Sequence, residues 1–129
     1  MSPDEPAARE QRATPDHGRS SLNALRADLV GRIHRLDLTI ATLRADRGAE
    51  TADDEHDPEG ATLSHEWSRL AGLRADAERE LDETDAAIAG YVDGTYGVCT
   101  DCGEPIPAAR LVARPTATRC VACAAKAGL

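Results

Sequence analysis

Four cysteines in the last third of the chain carry the chemistry. Cys99-Thr100-Asp101-Cys102 and Cys120-Val121-Ala122-Cys123 are separated by 17 residues, giving the pattern C-x2-C-x17-C-x2-C. Two residues between cysteines let a tight turn aim both thiolates at one point, and the connector brings the second pair round to complete a tetrahedron. An all-sulfur tetrahedral site suits zinc. With four thiolates filling the shell, no position remains for a catalytic water, so the expected zinc is single and structural. Gly97 and Gly103 flank the first pair and can turn backbone N–H groups toward the sulfurs.

Two other readings of the cysteines are weaker. A pair of disulfides would require an oxidising compartment, whereas the N-terminus Met1-Ser2-Pro3-Asp4-Glu5 lacks the basic and apolar regions of a signal peptide. A C-x-x-C redox centre needs one motif, not two. His17, His34, His56 and His65 do not fall at ligand spacing with the cysteines. No run of 18 or more apolar residues occurs, so a soluble, cytoplasmic protein with no membrane partner is expected.

A module this small needs something to carry it. At 129 residues with no Phe, one Trp and two Tyr, the chain has room for about one domain, and its core must come from Leu, Ile, Val and Ala, which favours paired helices. Leu22, Leu25, Leu29, Ile33, Leu36, Ile40 and Leu43 recur at steps of three and four, one face of a helix. Ser20 or Ser21 can cap its start, and Arg44, Arg47 and Gly48 suit its end. A second stripe runs Leu63, Trp67, Leu70, Ala77, Leu81, Ile88 and Val92, with Asp57 as N-cap, Pro58 as first helical residue and Gly94 as terminator. Trp67 falls on that stripe and is expected to be partly buried. Gly72 and Gly90 either weaken the second helix or let a neighbour approach closely.

The organisation expected is therefore mostly α: a flexible N-terminal tail over 1–19, an antiparallel coiled-coil hairpin over 20–93 with an acidic tip loop near 49–57, and a small four-cysteine zinc-finger module over 94–129. Residues 1 to 93 carry 11 basic and 21 acidic side chains, and residues 94 to 129 carry 4 and 2, for a net charge of −8. An acidic body is repelled by nucleic-acid phosphates and anionic membranes. The turn holds Glu50, Asp53, Asp54, Glu55, Asp57 and Glu59 without a Lys or Arg, so a basic or metal-bearing cavity is a plausible target. Arg110, Arg114 and Arg119 give the module a possible basic contact face, whose simplest role is to pair with the acidic hairpin.

The stretch Gly94-Thr95-Tyr96-Gly97-Val98-Cys99-Thr100-Asp101-Cys102-Gly103-Glu104-Pro105-Ile106, followed by Arg110-Leu111, Ala113-Arg114-Pro115 and Cys120-Val121-Ala122-Cys123, closely resembles the DksA/TraR family of four-cysteine zinc-finger transcription regulators. The resemblance implies a coiled-coil finger on a zinc module that binds RNA polymerase directly, enters its secondary channel and acts without specific DNA binding. It makes Asp53, Asp54, Asp57 and Glu59 candidate tip residues for that partner. The founding branch carries an Asp-x-x-Asp-x-Ala tip; here the alignment reads Asp57-x-x-Gly60-x-Thr62 or Asp54-x-x-Asp57-x-Glu59. Six residues follow Cys123, where the founding member has a long helix, so alarmone binding is not expected. A monomer is the favoured state. The competing functions are a nucleic-acid-binding zinc finger using the three arginines and a coiled-coil scaffold for some other protein. No catalytic constellation or nucleotide fingerprint occurs in the sequence, and a non-enzyme is expected.

Overall fold

The structure, a computed structural model, describes residues 15–50 and 58–128, with side chains over 18–46 and 62–128. Its described helices are α1 (Pro15–Glu50), α2 (Pro58–Asp93), α3 (Ala108–Ala113) and α4 (Val121–Lys126). Residues 1–14, and residues 51–57 of the expected tip loop, lie outside the described residues.

Helix α2 starts and stops where its signals stand. Pro58 takes the first helical position, where the missing N–H costs nothing. At the other end Gly94 adopts φ +81, and the Thr95 N–H donates back to the Gly90 carbonyl at 2.9 Å. That is the six-to-one bond of a Schellman ending, which uses a carbonyl the helix would otherwise leave unpaired. The Asp93 carboxylate accepts from both the backbone N–H and the hydroxyl of Thr95, at 3.1 and 2.6 Å.

Helix α1 is longer than its signals suggest. It begins at Pro15 instead of Ser20 or Ser21, and it runs through Gly48 to Glu50 instead of closing there. Pro15 supplies a pre-set first-turn φ. A glycine inside a helix costs only about 1 kcal/mol, which is too little to end one of this length.

The chain gathers into two compact units. One comprises Ala27–Asp82, the facing stretches of α1 and α2. Within it Arg32 meets Glu80 at 3.9 Å, Asp37 meets Arg74 at 2.5 Å, and the Arg44 guanidinium lies 4.9 Å from the Trp67 ring centre. Numbers rise on α1 as they fall on α2, so the helices are antiparallel. Leu29, Ile40, Leu70 and Ala77 are buried between them. Arg74 is shared between Asp37 across the pair and Glu78 one turn along its own helix, and the contact with Asp37 holds that carboxyl below its ordinary range. Such half-exposed pairs contribute little stability, because water and salt screen them.

The other unit joins Met1–Arg26 with Glu83–Leu129. Leu22 and Thr84 are fully buried in it, and Arg26 pairs with Asp85 at 2.7 Å. The ending of the α2 stripe differs from expectation at Val92, which is 79% exposed. Ile88 and Tyr91 are half-buried and Thr84 is buried, and Thr84 and Tyr91 continue the seven-residue step from Leu70 and Ala77. The Tyr91 ring stacks on Tyr96 with centroids 4.1 Å apart, and the Tyr96 hydroxyl donates to the Pro115 carbonyl at 2.8 Å. Burial first, and then the neighbouring Tyr91 hydroxyl, push the Tyr96 phenol up to about 12.

The structure distinguishes the two α2 glycines. A Cβ on Gly72 would meet nothing within 4 Å, whereas one on Gly90 would touch the backbone nitrogen of Tyr96 at 3.4 Å. Gly72→Ala is therefore expected to raise stability by about 1 kcal/mol, which thermal unfolding checks; no rise in the unfolding temperature would refute it.

Candidate metal centre

A short hairpin presents the first cysteine pair. Val98 bridges Pro105, the Ile106 N–H donates to the Gly97 carbonyl at 2.7 Å, the Cys99 N–H to the Glu104 carbonyl at 2.9 Å, and the Gly103 N–H to the Cys99 carbonyl at 3.0 Å. The turn closes through Gly103 at φ +73, a conformation that a side chain would strain. The second pair sits where the chain enters α4: Cys120 immediately precedes the helix, and Cys123 lies within its first turn.

These two pieces bring all four sulfurs together. The Sγ atoms of Cys99, Cys102, Cys120 and Cys123 lie within 4.8 Å of one another, with Cys102 and Cys120 at 4.0 Å. Zinc–sulfur bonds of about 2.3 Å in a tetrahedron place sulfurs about 3.8 Å apart, so the cage fits the ion after slight contraction. All four cysteines are free thiols, and a disulfide would need a sulfur separation of about 2.05 Å.

The electrostatics are those of a cage built for a cation. Cys99 is buried, yet its thiol is pulled down to about 6, first by the backbone N–H of Cys102 and then by that of Cys120. The Cys120 N–H stands 3.4 Å from the Cys99 sulfur. Cys123 is pushed the other way, up to about 12, chiefly by its contacts with the Cys120 and Cys99 thiols. Four thiols crowded together do not all ionise by themselves; a divalent cation at their centre displaces the protons and makes thiolates of them all.

Outside the cage, the arginines do not behave as expected. Arg119 donates through Nε to Asp101 Oδ2 at 2.8 Å, and Arg110 donates through Nε to the Arg119 carbonyl, also at 2.8 Å. Both are spent inside the zinc module, not on hairpin carboxylates. Arg114 is exposed and helps line a cleft of about 790 Å³ with Thr95, Thr116 and Thr118. Asp101 belongs to no motif legible in the sequence; its one signal is an acid inside one cysteine pair and a base just before the other. Of the candidate tip residues, Asp53, Asp54 and Asp57 lie outside the described residues, and Glu59 belongs to the first turn of α2 with its side chain outside them.

A four-cysteine zinc finger joined to an antiparallel helical hairpin is the class defined by this fold and this cage. The family described as the prokaryotic dksA/traR C4-type zinc finger matches residues 94–127. The chain is 48% identical over 60 residues to a Caulobacter vibrioides protein named RNA polymerase-binding transcription factor DksA, a match that covers 45% of this chain and 42% of that one. It is 65% identical over 46 residues to an uncharacterized 8.2 kDa protein of Escherichia phage P2, covering 36% and 58% of the two chains. The solved structure of transcription factor DksA2 from Pseudomonas aeruginosa superposes with a TM-score of 0.77 at 27% identity, covering 95% of this chain and 88% of that chain. The family match lies over residues 94–127, the stretch that holds the four cysteines, and those cysteines bind one structural zinc. The match spans less than half the length of the Caulobacter relative.

Proposed function

We propose that the protein is a non-catalytic transcription regulator that binds RNA polymerase directly. The likeness to DksA2 over 95% of the chain carries this reading, supported by the polymerase binding for which the Caulobacter relative is named. In this reading the hairpin over 20–93 is the working arm, its acidic turn with Asp53, Asp54, Asp57 and Glu59 enters the secondary channel of the polymerase, and the module over 94–129 holds the arm's base rigid. The protein acts as a cytoplasmic monomer and needs neither an alarmone nor a membrane. No helix among the described residues is long and apolar enough to cross a membrane.

Nucleic-acid binding is the weaker reading. Arg110 and Arg119 are engaged within the module, and the one remaining arginine of the three has no stacking aromatic in its sequence neighbourhood. Zinc-loaded protein is expected to co-purify with RNA polymerase and to change transcription in a purified system, with no binding to free duplex DNA. Steeply salt-dependent DNA binding without polymerase binding would overturn the proposal in favour of the nucleic-acid module. Stable capture of other proteins without polymerase would point to a scaffold.

A further inference from the structure

The two cysteine-bearing loops are fastened to each other by residues that touch no metal. Thr100, inside the first pair, donates its N–H to the Thr118 carbonyl at 2.9 Å and its hydroxyl to the same oxygen at 3.2 Å. Asp101, also inside the first pair, accepts from Arg119, the residue just before Cys120. Arg110 of α3 holds the Arg119 carbonyl, so the arginine is tethered at its backbone while its guanidinium reaches across. The site also carries a charge imbalance, because one zinc ion with four thiolates is a dianion. Arg119 supplies a cation on one side, and Lys126 lines a small hollow with Asp101, Cys102 and Cys123 on another.

From this arrangement we infer that Asp101 and Arg119, backed by Arg110, form a zinc-retention clamp. They are positioning residues that set how fast the bound ion leaves. This rests on the zinc assignment and is independent of the polymerase reading. Zinc loss to a competing ligand starts with one sulfur detaching, and Cys102 is the exposed one of the four. Whether it re-forms its bond or the ion departs depends on how long the Cys120–Cys123 loop stays beside the Cys99–Cys102 loop. A cross-link between residues adjacent to the ligands in both loops lengthens that time. Both partners are partly exposed, Arg119 at 35% and Asp101 at 42%, so the pair works in the kinetics of release and is not needed for the site to form.

The experiment is transfer of zinc from the intact, loaded protein to an excess of a chromogenic chelator. Asp101→Asn and Arg119→Gln are each expected to release zinc about three- to fivefold faster, the upper part of what a partly exposed ion pair supplies. The double variant should be no faster than either single, because the two changes break one interaction. Exchanging the pair as Asp101→Arg with Arg119→Asp should recover much of the loss, and Arg114→Gln should release at the unmodified rate. Raising the ionic strength should speed release from the unmodified protein and leave the double variant nearly unchanged, since salt screens the pair. Release within about twofold of the unmodified protein in both single variants, or single effects that multiply in the double, would overturn the clamp. A variant that loses its zinc during purification is scored through the exchanged pair: restored loading supports the clamp, and continued loss refutes it.

Discussion

Removing the zinc, by chelation or by Cys99→Ser, is expected to unfold residues 94–127 while α1 and α2 stay helical. The module has little else to hold it. Apart from Cys99 its buried apolar residues are Ile106 and Ala124, whereas Val98, Val112 and Val121 are 43%, 66% and 61% exposed. Such a small core cannot offset the ordering entropy of the loops, so the folding free energy must come from the metal, on the order of 10 kcal/mol for a structural zinc. Cys99 is the sensitive choice because it is the buried sulfur that receives the Cys120 N–H. Far-UV circular dichroism alone responds weakly, since α3 and α4 have 6 residues each against 36 in each long helix. Amide chemical-shift dispersion or limited proteolysis of the module is the decisive readout. A chelated protein whose module resonances keep their dispersion would refute the dependence on zinc. The last turn of α2 should fray with the module, because its Gly90 carbonyl is paired with the N–H groups of Thr95 and Tyr96.

On the proposed polymerase-binding function, replacing Asp54 and Asp57 by Ala is expected to abolish the transcription effect while zinc content stays at one ion per chain. The reasoning is electrostatic. The segment from Glu50 to Glu59 holds six carboxylates and no Lys or Arg, which makes it a concentrated negative segment for a basic or metal-lined cavity. Removing a carboxylate that is paired and desolvated in a complex typically costs about 2–5 kcal/mol, a loss of about thirtyfold or more in affinity. Asp57 is also the expected N-cap of α2, whose removal costs about 1 kcal/mol of helix stability. Asp54→Ala by itself therefore separates partner contact from capping. Purified transcription assays on both variants, alongside zinc analysis and helicity, make the distinction. Full activity in the double variant would remove the acidic turn from the mechanism and leave polymerase binding to some other surface.

Local chemistry was readable from the residues alone. The two C-x2-C pairs specify a four-sulfur cage because the turn geometry that aims each pair is built within four residues. The step of seven from Leu22 to Leu29, and from Leu70 to Ala77, specifies a helical face because it follows from the helical repeat itself. Pro58 and Gly94 mark the limits of α2 because each acts on its own backbone. Signals that depend on a balance of small energies were less dependable. Gly48 could have ended α1 and did not, and Ser20 could have begun it and did not, since neither preference exceeds about 1 kcal/mol.

The sequence by itself thus determined a zinc-binding end, two long helices and an uneven acidic charge. Tertiary structure decided what those parts do to each other. It turned Thr84 and Tyr91 inward and left Val92 in water, because the inward position depends on the phase of the face over many turns and not on which residue is the more apolar. It also took Arg110 and Arg119 away from the hairpin and bound them across the cysteine loops. The physical reason is proximity: the partners of Arg119, 18 residues away at Asp101, and of Arg110, at the carbonyl of Arg119, become neighbours only when the four sulfurs have been gathered around one point.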